Sequence, residues 1–494
     1  MPEFSIAALP EVFVSDSSIS KAVYEAVERG QLRKLGSRLY TRNPKDNPEQ
    51  LIRRNWYNLI ASYYPDAVIA DRTALENKPA ADGSVFLISS KKREIQLPGL
   101  TFRPRTGPQP IDSDRPFSGV RLASIPRAYL ENLRDSRARG GRLPRTLSRN
   151  ELEQRLDAMI RQQGEAAVNR LRDDARTIAS QLGYEAEADE LHELIGSLLG
   201  TRDGDLASAI GKARHAGKPF DPDRIRLFET LFAALRGTLV ERRPVPERDG
   251  EADATLAFFE AYFSNFIEGT EFTVEEAAEI VFEGVIPQER PADAHDVLGT
   301  FRIVSDLAHL KELPSDFAGF RDLLRRRHAT VMEARGDKAP GTFKDRVNRA
   351  GNTVFVAPEL VEGTLDRGFA FLQALDDPFQ RAVYMMVLVS EVHPFADGNG
   401  RIARIMMNAE LVARDQERII IPTAYRTDYL GALRAFSQNG HTDPLIRMLD
   451  VAQSYTHRID WTTLERARTA LAATNAFDAA ADAKLKLRWG EGRP

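Results

Sequence analysis

Residues 393–404 read H-P-F-A-D-G-N-G-R-I-A-R, a short loop that contains two glycines. The stretches on either side, 382–392 and 402–412, are apolar and predict helices. Because the second helix begins near Asn399, its first N–H groups point into the loop, where they favour an anion. This arrangement predicts a phosphate-binding loop between two core helices.

Four residues of the loop suit a bound phosphate. Gly398 and Gly400 allow close approach of phosphate oxygens. Arg401 and Arg404 lie on one side of the helix's first turn, which predicts a paired cationic clamp. Taken singly, these residues also fit an ordinary turn and a solvated helix face. Their occurrence together in one short run favours the phosphate site.

Two further residues of the loop suggest a reaction. Asp397 offers the hard oxygen ligand that suits magnesium held partly by phosphates. His393 is the only group in this loop that exchanges a proton near neutral pH, although a lone histidine is more often structural. Together they predict magnesium-assisted transfer of part of a nucleotide to a hydroxyl group.

The run at 393–404 resembles the signature of the Fic (filamentation induced by cAMP) family, His-Pro-Phe-x-Asp/Glu-Gly-Asn-Gly-Arg-x-x-Arg, and every defined position is present. A weaker resemblance, in helical pattern, extends over about 250–460. The resemblance implies a protein adenylyltransferase, which transfers AMP from ATP to a Ser, Thr or Tyr hydroxyl of a protein and releases pyrophosphate.

The resemblance also implies a role for each residue of the loop. His393 would be the base, and Asp397 would hold magnesium between the α- and β-phosphates. The amides from Gly398 to Arg401, with the Asn399 side chain, would hold phosphate oxygens. Arg401 and Arg404 would contact the β- and γ-phosphates.

Three other positions take their roles from the same resemblance. Phe395 would pack in the core and fix the loop. Gly400 favours AMP transfer, because the related Doc kinases have lysine at this place. Tyr429 falls where the family often has a tyrosine near the adenine, although a tyrosine on such a helical pattern is more often a core residue.

Upstream of the loop, the segment 348–358 contains a Gly-Asn turn that is followed by several β-branched residues. They resemble the flap hairpin of the family, which adds a target segment as an extra strand beside the catalytic histidine. Val354, Phe355 and Val356 would form this flap; the alternative is an ordinary surface hairpin.

An apolar helix predicted at 256–267 ends in Glu268-Gly269, and Ser264 lies four residues before the glutamate. This pattern resembles the inhibitory motif Ser/Thr-x-x-x-Glu-Gly/Asn of the Fic family. A Glu268 carboxylate paired with Arg404 would occupy the arginine that holds the γ-phosphate. The alternative is a solvated glutamate.

The first part of the chain has a different character. Residues 1–150 carry 25 Lys and Arg against 16 Asp and Glu, whereas the remainder carries 43 against 56. A helix at 18–29, a tight hairpin at 32–41 and a second helix at 48–64 predict a winged-helix-like α+β module with a basic wing. These segments, with strands at 85–89 and 119–124, resemble the antitoxin-type regulators of type IV toxin–antitoxin systems, which implies DNA binding. A solvated basic surface is the alternative.

The predicted fold class is mainly α: a Fic-type helical core with a β-hairpin flap, preceded by the α+β module. We expect the module at 1–150, ending in a basic Gly- and Pro-containing linker at 137–145, a helical linker region at 151–250, the Fic domain with its inhibitory helix at 251–460, and a tail at 461–494.

Composition excludes several classes of protein. The 494-residue chain contains no cysteine, which excludes disulfides, a thiolate nucleophile and thiolate zinc sites. No apolar run approaches the length of a membrane span, and the acidic start Met-Pro-Glu is unlike a secretory signal. We therefore expect a cytoplasmic protein that does not contact membranes.

The predicted function is transfer of AMP from ATP, with Mg²⁺, to a protein target. The sequence does not decide whether the protein modifies itself or forms a homodimer. One alternative is removal of AMP at the same site, with Glu268 positioning water. Another is a DNA-binding regulator whose Fic core serves as a sensor.

Overall fold

A computed structural model describes residues 5–138, 140–479 and 484–486. The chain divides into two compact units, Met1–Gly217 and Lys218–Pro494. The predicted mainly α class is confirmed, and a small amount of sheet is concentrated in the first unit. The division at Gly217 differs from the boundaries predicted at 150 and 250, and the helices at 149–198 share an apolar core with Tyr129 and Leu130 of the first unit.

The first unit contains two β-sheets. A three-stranded sheet has the order β1-β3-β2, and a six-stranded mixed sheet has the order β6-β7-β5-β4-β9-β8. The strands are β1 Val12–Val14, β2 Arg33–Gly36, β3 Leu39–Thr41, β4 Val68–Ile69, β5 Ser84–Ile88, β6 Ile95–Leu97, β7 Leu100–Arg105, β8 Arg115–Phe117 and β9 Val120–Leu122.

Eight α-helices accompany these sheets in the described part of the first unit. They are α1 Ser20–Glu28, α2 Pro48–Tyr63, α3 Asp71–Glu76, α4 Ile125–Leu133, α5 Arg149–Gln163, α6 Glu165–Leu182, α7 Glu185–Leu198 and α8 Ala209–His215. The capping box of α5, in which Ser148 and Glu151 bond each other's backbone N–H groups, explains the start of the helical half.

The predicted tight hairpin at 32–41 is present as β2 and β3, which pair antiparallel. Among residues 5–41, α1 is the single α-helix ahead of this hairpin. A helix-turn-helix reader needs a second, recognition helix beside it. The structure therefore supplies a wing-like hairpin and leaves the winged-helix reading a prediction.

The second unit is helical apart from one short hairpin, β10 Arg349–Ala350 with β11 Thr353–Val354. Its described α-helices are α9 Pro222–Arg236, α10 Gly250–Ile267, α11 Val274–Ala278, α12 Pro291–Ser305, α13 Leu307–Leu310, α14 Phe317–Val331, α15 Val361–Gln373, α16 Pro378–Val392, α17 Asn399–Val412, α18 Arg426–Asn439, α19 Asp443–Arg458 and α20 Leu464–Ala473.

Helices α16 and α17 form the centre of this unit. Nearly every side chain of α17 is buried, and α16 is almost as enclosed, which explains why both sequences are apolar with little polar face. Asp377 caps α16 by accepting hydrogen bonds from the N–H groups of Phe379 and Gln380. The site loop is thus fixed at both ends by the best-packed helices.

The segment predicted as a tail from residue 461 begins instead with packed structure. Trp461 is 3% exposed, and its ring lies 6.0 Å from that of Phe259 on α10. Its indole N–H donates to the carbonyl of Thr456 at 2.9 Å, and α20 follows. The aromatic side of α10 therefore needs this segment as its cover; residues 480–483 and 487–494 of the predicted tail lie outside the described residues. Among the described helices, none has both the length and the apolar character needed to cross a bilayer.

Candidate active site

The loop between α16 and α17 is closed by Asn399. The Asn399 side chain accepts a hydrogen bond from the N–H of Phe395 and donates one to its carbonyl, both at 2.9 Å. Phe395 is fully buried, as predicted from the resemblance. The Asn399 amide therefore pins the loop instead of facing the predicted phosphates.

His393 follows the last residue of α16 in a left-handed conformation, with φ of 52°. Its Nδ1 lies 3.2 Å from the carbonyl of Ser390, which can only accept a hydrogen bond, so Nδ1 carries the proton. Nε2 of the neutral ring then has a free lone pair. Burial lowers the pKa of His393 to about 4. The imidazole is therefore neutral at physiological pH and can act as a base through Nε2.

A second histidine, His328 on α14, supports the loop from behind. Its ring stacks on Phe395 with centroids 3.6 Å apart. Nδ1 accepts the N–H of Gly341 at 2.9 Å, so Nε2 is the protonated atom and donates to the carbonyl of Asp397 at 3.0 Å. Burial lowers the pKa of His328 to about 4, which keeps this neutral tautomer. Sequence reasoning missed His328 because it lies far from the loop in an ordinary amphipathic helix.

The N-terminus of α17 offers donors for an anion. The N–H groups of Asn399, Gly400 and Arg401 make no hydrogen bond to another described residue. Gly398 has φ of 75°, and a Cβ there would lie 2.7 Å from the sulfur of Met332. Glycine is required at that position, because it needs both the left-handed backbone and the close approach.

Glu268 lies against Gly400 at the start of α17. Its Oε1 accepts a hydrogen bond from Nη2 of Arg404 at 2.7 Å. A Cβ on Gly400 would be 2.1 Å from the same Oε1, so the carboxylate rests against the bare backbone of α17. Gly269, with φ of 93°, turns the chain immediately after Glu268. The structure thus brings the two predicted partners, Glu268 and Arg404, together.

Ser264 holds the same arginine from one turn earlier on α10. Its hydroxyl accepts from Nε of Arg404 at 3.0 Å, and its carbonyl accepts from Nη2 at 2.8 Å. Arg404 is 5% exposed and therefore has its donors directed at α10 and at Glu268. The four-residue spacing of Ser264 and Glu268 in the sequence thus allows both side chains to bind Arg404.

Arg401 points elsewhere. Its Nη1 pairs with Asp296 on α12 at 2.7 Å, and both side chains are almost fully buried. Arg335 pairs with the same carboxylate at 2.8 Å. The two arginines of the predicted clamp therefore face different carboxylates, because the i, i+3 spacing does not dictate where such long side chains end.

Tyr429 belongs to the core behind the site. It is 1% exposed, its ring centroid lies 5.9 Å from the guanidinium carbon of Arg404, and its hydroxyl lies 3.7 Å from the sulfur of Met386. Burial raises the pKa of Tyr429. The structure places Tyr429 beside Arg404, and its position near adenine stays a prediction.

The predicted flap is a hairpin that reaches His393. Phe355 stacks on the imidazole with ring centroids 3.8 Å apart, Val356 is fully buried, and Val354 remains 44% exposed. Arg224 on α9 donates to the carbonyl of Val354 at 2.7 Å. The backbone of β11 is thus held by Arg224, while the apolar side chain of Val354 faces solvent.

The residues before the flap tie it to the loop. Lys344 donates from Nζ to the side chain of Asn348 at 2.7 Å, and Asn348 donates to the carbonyl of Phe395 at 2.9 Å. The backbone N–H of Lys344 bonds the carbonyl of Pro394 at 2.9 Å. Burial lowers the pKa of Lys344 to about 8. The flap and the loop are therefore joined by hydrogen bonds through Lys344 and Asn348.

The predicted magnesium ligand, Asp397, is exposed at the mouth of the loop, where its Oδ1 accepts the N–H of Gly398 at 2.7 Å. Within the described residues, no three His, Asp or Glu side chains converge as a metal site. A single outward carboxylate fits Mg²⁺ that takes its remaining ligands from phosphates and water.

A helical core, a loop with free amides, a neutral histidine base and a strand-like flap define the class of a candidate phosphate-transfer enzyme. Residues 320–411 match the model of the Fic/DOC family, so the chain carries a Fic domain.

Two curated relatives are named protein adenylyltransferases. Protein adenylyltransferase Fic of Nematostella vectensis is 27% identical over 232 residues, which cover 45% of this chain and 51% of the relative. Protein adenylyltransferase fic-1 of Caenorhabditis elegans is 26% identical over 196 residues, 38% of each chain. A solved structure of Fic-1 from C. elegans aligns with 65% of this chain and 92% of its own length, at 17% identity and a TM-score of 0.35. The chain therefore spans about half or less of the length of these two curated relatives.

Proposed function

We propose that this protein is a protein adenylyltransferase that moves AMP from ATP to a Ser, Thr or Tyr hydroxyl of a protein. The observation that carries the proposal is the complete Fic signature, in which Nε2 of His393 is unprotonated and the same loop leads into the free amides of α17. The relatives named above as protein adenylyltransferases support it.

The chemistry balances without a further reactant. The target hydroxyl oxygen attacks the α-phosphorus of ATP, and its proton passes to Nε2 of His393. The bond to the bridging oxygen breaks, so pyrophosphate leaves with its electron pair. The amides of Asn399, Gly400 and Arg401 stabilise phosphate oxygens as charge redistributes. Stacking on Phe355 and the bond to Ser390 hold the imidazole in one orientation.

Magnesium fits this scheme through Asp397. When bound, it would neutralise phosphate charge and orient the leaving group. The carboxylate already faces the mouth of the loop, and its Oδ2 makes no hydrogen bond to another described residue. The Asp397→Asn variant should therefore need a higher Mg²⁺ concentration for half-maximal transfer and should keep its fold.

The resting enzyme is inhibited by its own α10. The Glu268 carboxylate lies against Gly400, where phosphate oxygens would approach, and occupies Arg404. ATP that binds while Glu268 is in place must do without Arg404 for its γ-phosphate. The α-phosphate is then not presented in line with the target hydroxyl.

The flap supplies the surface for the protein substrate. The exposed β11, Thr353–Val354, offers an edge on which an extended target segment can add as a strand. Because Phe355 contacts His393, a target residue paired there lies near the base.

One observation favours a second reaction at this site. The Glu268 side chain is 33% exposed, so its carboxylate contacts solvent beside the phosphate position. From there it can orient a water molecule for removal of AMP from a modified protein. Incubation with a pre-modified target, compared with ATP plus unmodified target, distinguishes removal from transfer.

DNA binding by residues 1–150, a homodimer, a sensor role for the Fic core and a cytoplasmic location stay predictions from the sequence. A mobility-shift assay and light scattering test the first two. An inactive Fic core that still alters DNA binding when ATP is added would support the sensor.

The proposed activity is tested with ATP labelled at either its α- or its γ-phosphate. The Glu268→Gly variant and a cell lysate should yield a protein adduct that carries the α-label alone, and mass spectrometry should place a 5′-monophosphate on a hydroxyl residue. Transfer of the γ-label that is lost in the His393→Ala control would indicate kinase chemistry of this protein and contradict the proposal. His393→Ala in the same background is the matched control.

A further inference from the structure

The first unit contains a cleft of about 960 Å³ that is unrelated to the Fic domain. Four arginines and two carboxylates line it, which leaves an excess of positive charge. The lining residues are Phe86, Glu94, Arg103, Asp135, Ser136, Arg137, Gly140, Arg142, Leu143 and Arg145. Its volume lies at the upper end of the range typical of small-molecule sites, about 300–1000 Å³.

Arg103 is the distinctive residue of the cleft. It lies on β7 beside Phe86 of β5, and its guanidinium carbon is 5.8 Å from the Phe86 ring centroid. The side chain is 14% exposed, and its buried Nε has no hydrogen-bond partner among the described residues. The nearest described carboxylate, Asp82, is 4.0 Å from Nη2 and already accepts the N–H groups of Ser84 and Leu143. A largely buried cation with unused donors needs an acceptor.

Arg105, the next arginine on β7, is by contrast fully paired with a carboxylate. Arg105, two residues along β7, donates from Nε and Nη2 to both oxygens of Asp71 at 2.8 Å. Arg145 adds a contact to the same carboxylate at 3.3 Å. Asp71 thus pairs with Arg105 and Arg145, whereas the one ion pair of Arg103 within the described part of the chain is the 4.0 Å contact with Asp82.

The rim of the cleft carries two further exposed cations. Arg137 makes no ion pair with another described residue. Arg142 pairs with Glu94 at 3.1 Å, but both side chains are about half exposed, so this pair contributes little. A ligand that enters the cleft therefore passes weakly engaged cations before it reaches Arg103.

We propose that this cleft binds a phosphate-bearing ligand, with Arg103 as the buried anchor and Arg137 and Arg142 at the rim. The Phe86–Arg103 pair forms its floor. Phosphate chemistry is common to a free nucleotide and to the backbone of a nucleic acid strand, and both sources suit the charge. The proposal concerns the first unit alone and does not depend on AMP transfer.

The test measures binding of two probes, ATP and a 12-nucleotide single-stranded thymidine oligomer, to the full chain by calorimetry at several salt concentrations. The protein carries Gly400→Ala, whose added methyl group should cover the backbone amides that hold phosphate at the Fic loop. We expect Arg103→Gln to weaken the better probe about tenfold, because a charge-assisted contact is lost. Arg53→Gln, an equal charge change on the exposed face of α2, should leave binding unchanged.

Each outcome decides the question. Preferential binding of ATP identifies a free nucleotide as the source, and preferential binding of the oligomer identifies a strand. The Arg137→Gln/Arg142→Gln double variant changes exposed residues only and should also weaken binding and flatten its salt dependence, even if Arg103→Gln does not fold. Absence of binding of both probes at millimolar concentration, or equal loss with Arg53→Gln, overturns the proposal.

Discussion

At the scale of single residues, the site depends on which atoms are already occupied. The Ser390 carbonyl occupies Nδ1 of His393 and leaves Nε2 for catalysis, whereas both nitrogens of His328 are bonded. The two arginines differ in the same way. Arg404 pairs with Glu268, which is partly exposed and can be displaced, whereas Arg401 pairs with the buried Asp296.

The low pKa of His393, about 4, sets the expected pH profile of transfer. The base is active when unprotonated, so the rate should stay level as pH falls from 7.5 to 5.5 and should drop only as pH approaches the pKa. A solvent-exposed histidine would already lose activity near pH 6.5. Single-turnover rates of the Glu268→Gly variant across this range measure the profile, and a midpoint near 6.5 would contradict the assigned environment.

Gly400→Ala probes the contact between Glu268 and the bare backbone. The added Cβ would lie 2.1 Å from Oε1, so the carboxylate must move away from Arg404. The methyl group also covers the amides that hold phosphate. We therefore expect Gly400→Ala to transfer AMP much more slowly than Glu268→Gly, although both disturb the same ion pair. Equal activation in an α-labelled ATP assay would show that the backbone at Gly400 is not a phosphate contact.

At the scale of elements, α10 and the flap are attached to α16 and α17 by a few specific bonds. Ser264 and Glu268, at the end of α10, bind Arg404 of α17, while Arg224 on α9 donates a hydrogen bond to the Val354 carbonyl of β11. The proposed regulation and the proposed substrate binding therefore depend on elements outside the central helix pair.

Val354→Asp tests the flap. The side chain is 44% exposed, so the fold should tolerate the change, but an added charge on the edge strand should disfavour pairing with a target segment. We expect KM for the protein target to rise about tenfold or more while KM for ATP stays constant. Val347→Asp, at a residue 49% exposed and outside the strand, is the control. Equal effects of both variants would remove the flap from substrate binding.

The sequence predicts the elements of the site better than their contacts. Helices expected at 382–392, 402–412 and 256–267 occur as α16, α17 and α10, each extended at its N-terminus, and the Gly-Asn turn of the flap is present. Local periodicity and turn chemistry suffice for these features. The closure of the loop by Asn399 and the support from His328 arise from side-chain placement and long-range packing, which no local pattern encodes.

At the scale of the whole molecule, the chain combines a basic α+β unit with a helical Fic-containing unit. The contrast in charge predicted two modules, and the structure divides the chain at Gly217, farther along than composition suggested. The division lies farther along the chain because α5, α6 and α7 bury apolar side chains in one core with Tyr129 and Leu130 of α4.

Two neutral histidines, the buried His328 and the half-buried His393, make the second unit sensitive to acid. His328 and His393 both have a pKa of about 4 when folded, well below that of an unfolded histidine. The unfolded chain therefore binds more protons between about pH 6.5 and pH 4, so the free energy of unfolding should fall as pH decreases through this range. Denaturant unfolding at pH 7 and pH 5 measures the change, and His328→Gln should reduce the pH dependence. A stability that is constant over this range would contradict the assigned burial.

The central claim is that Glu268 restrains a working adenylyltransferase whose base is His393. Transfer of α-labelled phosphate to protein should rise about tenfold or more in Glu268→Gly, in keeping with the few kcal/mol of a regulatory contact. It should vanish in Glu268→Gly/His393→Ala, with both variants folded. Transfer that is unchanged by Glu268→Gly, or that persists without His393, would contradict the account.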